Sequence, residues 1–154
     1  QWKNKKNSGK IKIGNKNIFF EYANIHLPTT LKRITFIGNN NFIMNSTTID
    51  HDCYIEDNVT LSSGVVLGGN VHLMKYSNLG IKTIVHQNQV IGSYTMIGMG
   101  TTITKKKIIK PGYIFYGKPA KLIKKNNFII KKLKIGKNNL IKETQRFKKI
   151  KKEI

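Results

Sequence analysis

The sequence predicts an all-β parallel solenoid with a short basic helical tail, and three observations carry that reading. First, an apolar residue stands at every sixth position: Ile13, Phe19, Ile25, Leu31, Ile37, Ile43, Ile49, Ile55, Leu61 and on through Leu67, Leu73, Leu79, Val85, Ile91, Ile97, Ile103 and Ile109 to Phe115. Apolar residues make up 39% of the chain, so an unbroken run of this length in one frame is not chance. Second, neither a helical period of 3.6 nor a free-standing strand period of 2 produces it. Third, small or β-branched residues recur four places after the frame position, as at Thr47, Cys53, Val59, Val65, Val71, Ser77, Thr83, Thr95 and Thr101.

A unit with one large inward aliphatic, one small inward neighbour and a corner is a short strand plus a turn. The glycines directly after the frame residue (Gly14, Gly38, Gly68, Gly80, Gly92, Gly98) suggest a glycine-tolerant corner. Three units close a triangular coil, so about six coils are expected between Ile11 and Phe115. Residues 1–117 form this domain. The frame fails at Lys121, and residues 118–154 form a basic, partly helical segment with a helix expected from about Asn139 to Lys152. Such a tail could cap the open end of the solenoid, where strand edges are unpaired.

The chain has 154 residues, enough for one folding unit with a buried core. Its single cysteine, Cys53, has no internal disulfide partner and falls on a small inward position. No apolar stretch is long enough to span a bilayer and no signal pattern is present, so a cytoplasmic protein that is not integral to a membrane is expected. The first residue is Gln1 rather than methionine, which suggests a piece of a longer chain. The net charge of +21 points to anionic partners, although Lys, Asn and Ile are abundant throughout, as compositional bias alone would produce. Eighteen of the 28 basic residues lie between Lys105 and Lys152. No RNA-recognition, zinc-finger or helix-turn-helix pattern favours nucleic acid.

A packed solenoid has no internal cavity, so chemistry must sit on its outer surface or between copies. Residues one coil apart share an outer line, and the line through Arg33 continues to His51, Gly69 and Gln87. His51 and Gly69 are therefore expected to be neighbours, placing an imidazole beside a glycine N–H, a general base beside an oxyanion donor. His51 is flanked by Asp50 and Asp52, which could orient the ring. His26 and His86 follow frame residues directly and are corner residues of undecided role, and His72 has no distinguishing context. One cysteine with scattered histidines lacks metal-ligand pairing, so no metal is expected.

The segments Asn41–Met44, Thr47–Cys53, Leu67–Val71 and Thr83–Gln87 resemble the UDP-N-acetylglucosamine O-acyltransferases of lipid A synthesis. The resemblance runs from Gln1-Trp2-Lys3 past Asn126, with further coils and a longer helical domain in the family at either end. It implies a left-handed coil, against the usual right-handed crossover. It also implies transfer of an (R)-3-hydroxyacyl group from acyl carrier protein to the sugar 3-hydroxyl of UDP-N-acetylglucosamine. No cofactor would be bound, the acyl-phosphopantetheine of acyl carrier protein being the donor. His51 would be the base, held by Asp52, with the Gly69 N–H on the oxyanion; Lys3, His26, His86, Gln87, Asn126 and Lys132 would line the substrate site. Met99 would shorten the acyl groove, favouring a medium-length chain. The family works as a homotrimer with clefts between subunits. Thr48 and Asn70 depart from histidines common in the family, and Lys131-Lys132-Leu133-Lys134 only approximates its basic run. Two alternatives remain on the residues alone: another hexapeptide-repeat N-acyl- or O-acetyltransferase, and a non-catalytic basic repeat protein that binds polyanions.

Overall fold

A computed structural model of the chain describes residues 9–154. Short strands follow one another around three faces. Phe42–Ile43, Thr48–Ile49 and Tyr54–Ile55 occupy successive faces, and each pairs in parallel with the strand one coil on, Phe42 with Thr60, Thr48 with Val66 and Tyr54 with His72. The first face, begun by Lys10–Ile13 and continued by Tyr54–Ile55, carries five strands, the second, with Phe42–Ile43, seven, and the third, with Thr48–Ile49, five. Five coils are thus complete, and Ile109, bridged to Ile91, begins a sixth with the strand Tyr113–Tyr116. This is the expected left-handed β-helix of hexapeptide repeats, each coil rising by roughly the 4.8 Å inter-strand spacing.

Side chains alternate across a strand, so the frame residue points inward and its neighbour outward. Every frame residue from Ile37 to Phe115 is at most 1% exposed, and so is each small partner from Thr47 to Thr101 named above. The apolar members form one continuous column, with Thr47, Ser77, Thr83, Thr95 and Thr101 buried beside it.

The corners differ from expectation in one respect. Left-handed backbone falls three residues after the frame position, at Asn40, Ser46, Asp52, Asn58, Gly64, Asn70 and onward every sixth residue to Lys106. Short polar side chains and glycine tolerate that conformation best. The glycines directly after the frame residue serve close approach of the next coil instead: a Cβ on Gly68 would stand 2.7 Å from the Gln87 nitrogen.

The frame is interrupted once. In the first coil the pairs Lys10–Ile34, Ile18–Phe42 and Asn24–Thr48 are twenty-four residues apart rather than eighteen. The extra six residues leave the third face after Ile25 and return at Ile34. Leu31, expected in the core, lies in this loop and is 61% exposed. Ile13 and Phe19 in the first coil are also half-exposed, since no described coil covers them.

The tail also departs from expectation. The second face continues beyond Tyr113–Tyr116 into an antiparallel strand, Lys121–Lys125, which covers that edge. Helix α1 spans Asn127–Lys132 and helix α2 spans Lys137–Glu153. Helix α2 lies along the side of the first face rather than over the open end, because Phe147 and Ile150 find the outward-facing pair Met74 and Val90 there. Polar clamps flank this contact. Lys75 Nζ lies 2.9 Å from Glu143, and the Glu56 carboxylate receives the Arg146 guanidinium, His72 Nε2 at 2.7 Å and the Lys75 N–H at 3.0 Å. Burial alone would raise the Glu56 carboxyl; the His72 and Arg146 hydrogen bonds outweigh it and bring it down to about 2.

Candidate functional site

The corner between the third and first faces carries the densest set of candidate groups. Asp52 supplies the left-handed turn residue itself, with φ of 61°, and this backbone turns its carboxylate back along the corner. His51 Nδ1 lies 2.8 Å from Asp52 Oδ2. An ionised carboxylate can only accept, so the ring N–H at Nδ1 donates to it. Asp52 is buried, its side chain only 3% exposed, whereas the His51 side chain is 27% exposed. Burial would raise the Asp52 carboxyl, but hydrogen bonds from His51 and Thr29 and the Arg33 charge hold it below its ordinary value.

Gly69 occupies the next coil directly beneath the ring. A Cβ there would stand 2.3 Å from His51 Cε1 and 2.6 Å from Nε2. The Asn70 N–H donates to the His51 carbonyl at 2.9 Å and the Gly69 carbonyl accepts from the Asn88 N–H at 3.0 Å, tying three successive coils together at this edge. A reacting carbonyl set against Nε2 would have the Gly69 backbone within reach.

On the preceding coil His26 Nδ1 lies 2.9 Å from Asp50 Oδ1, the same oxygen that accepts the His51 backbone N–H at 2.7 Å. Burial pushes Asp50 up, but these hydrogen bonds dominate and its carboxyl sits below the ordinary range. On the far side, His86 and Gln87 continue the same corner line, with His86 Nδ1 2.9 Å from the Gln87 carbonyl oxygen. The structure therefore brings His26, His51, Asp52, Gly69, His86 and Gln87 onto one edge of a single chain.

The other candidates are elsewhere. Met99 projects from the corner between the second and third faces and is 65% exposed. Asn126 is buried at the opposite corner: its Nδ2 donates to the Tyr94 carbonyl at 3.0 Å, and its Oδ1 caps α1 by accepting from Ile129 N–H. Lys132 ends α1 with its ammonium 5.9 Å from the Phe128 ring centre. Lys3 lies outside the described residues. Sequence reasoning missed Thr29, which donates to Asp52 through both its N–H (3.2 Å) and its hydroxyl (2.8 Å), and the ion-pair role of Arg33, whose NH1 stands 3.5 Å from Asp52 Oδ2. The one signal was Pro28: a regular corner needs left-handed backbone three residues after Ile25, and proline cannot adopt it. Among the described residues no three His, Cys, Asp or Glu side chains converge as metal ligands, and no helix is long and apolar enough to cross a membrane.

Stacked six-residue rungs with an ordered histidine–carboxylate pair on an outer corner define a hexapeptide-repeat β-solenoid. A family profile for the bacterial transferase hexapeptide (six repeats) matches residues 34–69. The acyl-[acyl-carrier-protein]–UDP-N-acetylglucosamine O-acyltransferase of Herminiimonas arsenicoxydans is 36% identical over 96 residues, covering 62% of this chain and 37% of that protein. Its namesake from Burkholderia orbicola is 34% identical over 112 residues, covering 72% and 42%. Among solved structures, the Francisella novicida UDP-N-acetylglucosamine acyltransferase superposes with a TM-score of 0.81 at 29% identity, covering 94% of this chain and 53% of that one. The Arabidopsis UDP-N-acetylglucosamine acyltransferase gives 0.79 at 28%, covering 86% and 45%. The chain carries hexapeptide repeats and is similar to these acyltransferases over most of its own length. It spans less than half the length of these curated relatives.

Proposed function

We propose that this chain carries the acyl-transfer corner of a UDP-N-acetylglucosamine O-acyltransferase, moving a 3-hydroxyacyl group from acyl carrier protein to the sugar 3-hydroxyl. The observation that carries the reading is the His51 ring, hydrogen-bonded to buried Asp52 on one side and stacked over Gly69 on the other. His51 Nε2 takes the proton of the sugar hydroxyl as its oxygen attacks the thioester carbonyl, and Asp52 stabilises the imidazolium that forms. The Gly69 N–H receives the oxyanion of the tetrahedral intermediate. Collapse breaks the carbon–sulfur bond, and the imidazolium returns its proton to the departing pantetheine thiolate.

His26, His86 and Gln87 extend the same edge and suit contacts to the nucleotide sugar. Lys3, Met99, Asn126 and Lys132 sit away from it or outside the described residues, so their part in substrate binding rests on a homotrimer in which neighbouring subunits supply them. The chain has no acidic residue between Asn58 and Lys142, and the resulting basic surface complements the acidic acyl carrier protein.

The test is transfer of a 3-hydroxyacyl group from acyl carrier protein to UDP-N-acetylglucosamine, comparing the chain with His51→Ala at equal trimer concentration. Turnover that the substitution abolishes is the expected result. No turnover by a demonstrably trimeric preparation would overturn the reading, as would turnover with acetyl-coenzyme A in place of acyl carrier protein.

A further inference from the structure

Resting on the transfer reading above, we propose that the six-residue loop inserted before Ile34 is a positioning device, in which Thr29 and Arg33 hold the Asp52 carboxylate in the orientation that aims His51.

Every oxygen of that carboxylate is engaged from the loop. Oδ2 accepts from the Thr29 hydroxyl at 2.8 Å beside the His51 bond of the same length, and Oδ1 accepts from the Thr29 N–H at 3.2 Å. Arg33 NH1 stands 3.5 Å from Oδ2. Just past the loop, the Thr35 hydroxyl accepts from the Asp52 N–H at 3.0 Å and donates to the His26 carbonyl at 2.9 Å, so the two ends of the insertion are stitched to the corner they flank. Among the described residues, the other titratable groups at this corner are Asp50, which takes the His51 N–H and His26, and His26 itself.

The placement is selective. Between residues 34 and 103 the strands pair eighteen residues apart with no comparable loop, and at the next turn of the same edge the Asn70 side chain makes an exposed ladder bond to Asn88. Asp52 is the turn residue whose side chain is buried and triply bonded. A carboxylate free to rotate at χ1 could swing off Nδ1; two donors on one threonine and a cation on the outside leave it one well. Thr29 and Arg33 thus act through Asp52, without touching substrate.

The experiment compares Thr29→Val, Thr29→Ser and Arg33→Met in the full chain, by NMR of the His51 Nδ1 proton and by kcat and KM for transfer. Thr29→Val should speed exchange of that proton with water and lower kcat by roughly tenfold with KM unchanged, the expected size for one hydrogen bond to a charged group. Thr29→Ser should restore the slow proton and most of kcat. Arg33 is half-exposed, so Arg33→Met keeps the fold and should produce the same change in smaller degree. A protected proton and full kcat in Thr29→Val and Arg33→Met would overturn the proposal, as would failure of serine to rescue. Because proton exchange is read without turnover, loss of the protected proton in an inactive wild-type preparation's Thr29→Val variant would support the positioning role while sinking the transfer reading alone.

Discussion

The imidazole of His51 lies against the α-carbon of Gly69, close enough that a methyl group there would overlap Cε1 at 2.3 Å. Gly69 is not among the left-handed residues, so alanine fits its backbone and only the ring must move. Gly69→Ala should therefore fold normally yet lose on the order of a hundredfold in transfer rate, the cost of misplacing a catalytic group by about 1 Å. Steady-state kinetics beside a thermal melt check it; an active Gly69→Ala protein would show that the ring position is not critical.

The interrupted frame makes a paired stability prediction. Ile37→Ala empties a fully buried position and should cost about 2–5 kcal/mol. Leu31→Ala, in the same sequence frame but on an exposed loop, should stay within about 0.5 kcal/mol. Urea titrations of both variants decide it, and equal costs would place Leu31 in the core.

Glu56 gives a pH dependence with a definite sign. Its carboxyl is brought down to about 2 when folded, against an ordinary 4.5. The folded chain therefore binds this proton less tightly than the unfolded chain, and the stabilisation is complete above 4.5 and is lost as pH falls towards 2. The urea midpoint of the wild type should drop across that window, and Glu56→Gln should be less stable at neutral pH and flatter in acid. Identical acid profiles for the two proteins would show that the clamp on α2 contributes little.

Cys53 is fully buried, and desolvation pushes its thiol up to about 12. The thiolate is the reactive form, so a disulfide reagent at pH 8 should leave the folded chain unmodified and label it only at the rate of unfolding. Rapid labelling in native buffer would contradict the core assignment.

Asn126→Ala should lower the melting temperature, since it strands the Tyr94 carbonyl and uncaps α1, together worth about 1–2 kcal/mol. A KM increase for the nucleotide sugar with no change in melting would instead assign the side chain to substrate.

The periodic part of the fold was legible because each rung obeys one rule: Ile43, Leu61, Leu79 and Ile97 stack on one face, and their spacing alone says so. The neighbourhood of His51 and Gly69 followed from the same arithmetic. What periodicity does not encode is anything that breaks it. Leu31 is apolar by coincidence of composition, and only Pro28 in the left-handed slot betrayed the bulge. The repeat turns Met74 and Val90 outward, but nothing in it says that Phe147 and Ile150 of α2 will be the residues that cover them. The corner glycines were read as turn residues when their role is clearance, because both uses leave the same letter in the sequence.

The loop before Ile34 lengthens the first coil by one repeat unit, and the rungs on either side keep their pairing. In a coil of this kind an outward excursion at a corner changes nothing about which side chains face in, so additions there are invisible to the column of stacked aliphatics. The edge that bears His51 can consequently acquire, exchange or lose surface segments independently of the scaffold's folding. Specificity and stability in this architecture are then inherited separately, rung by rung for one and corner by corner for the other.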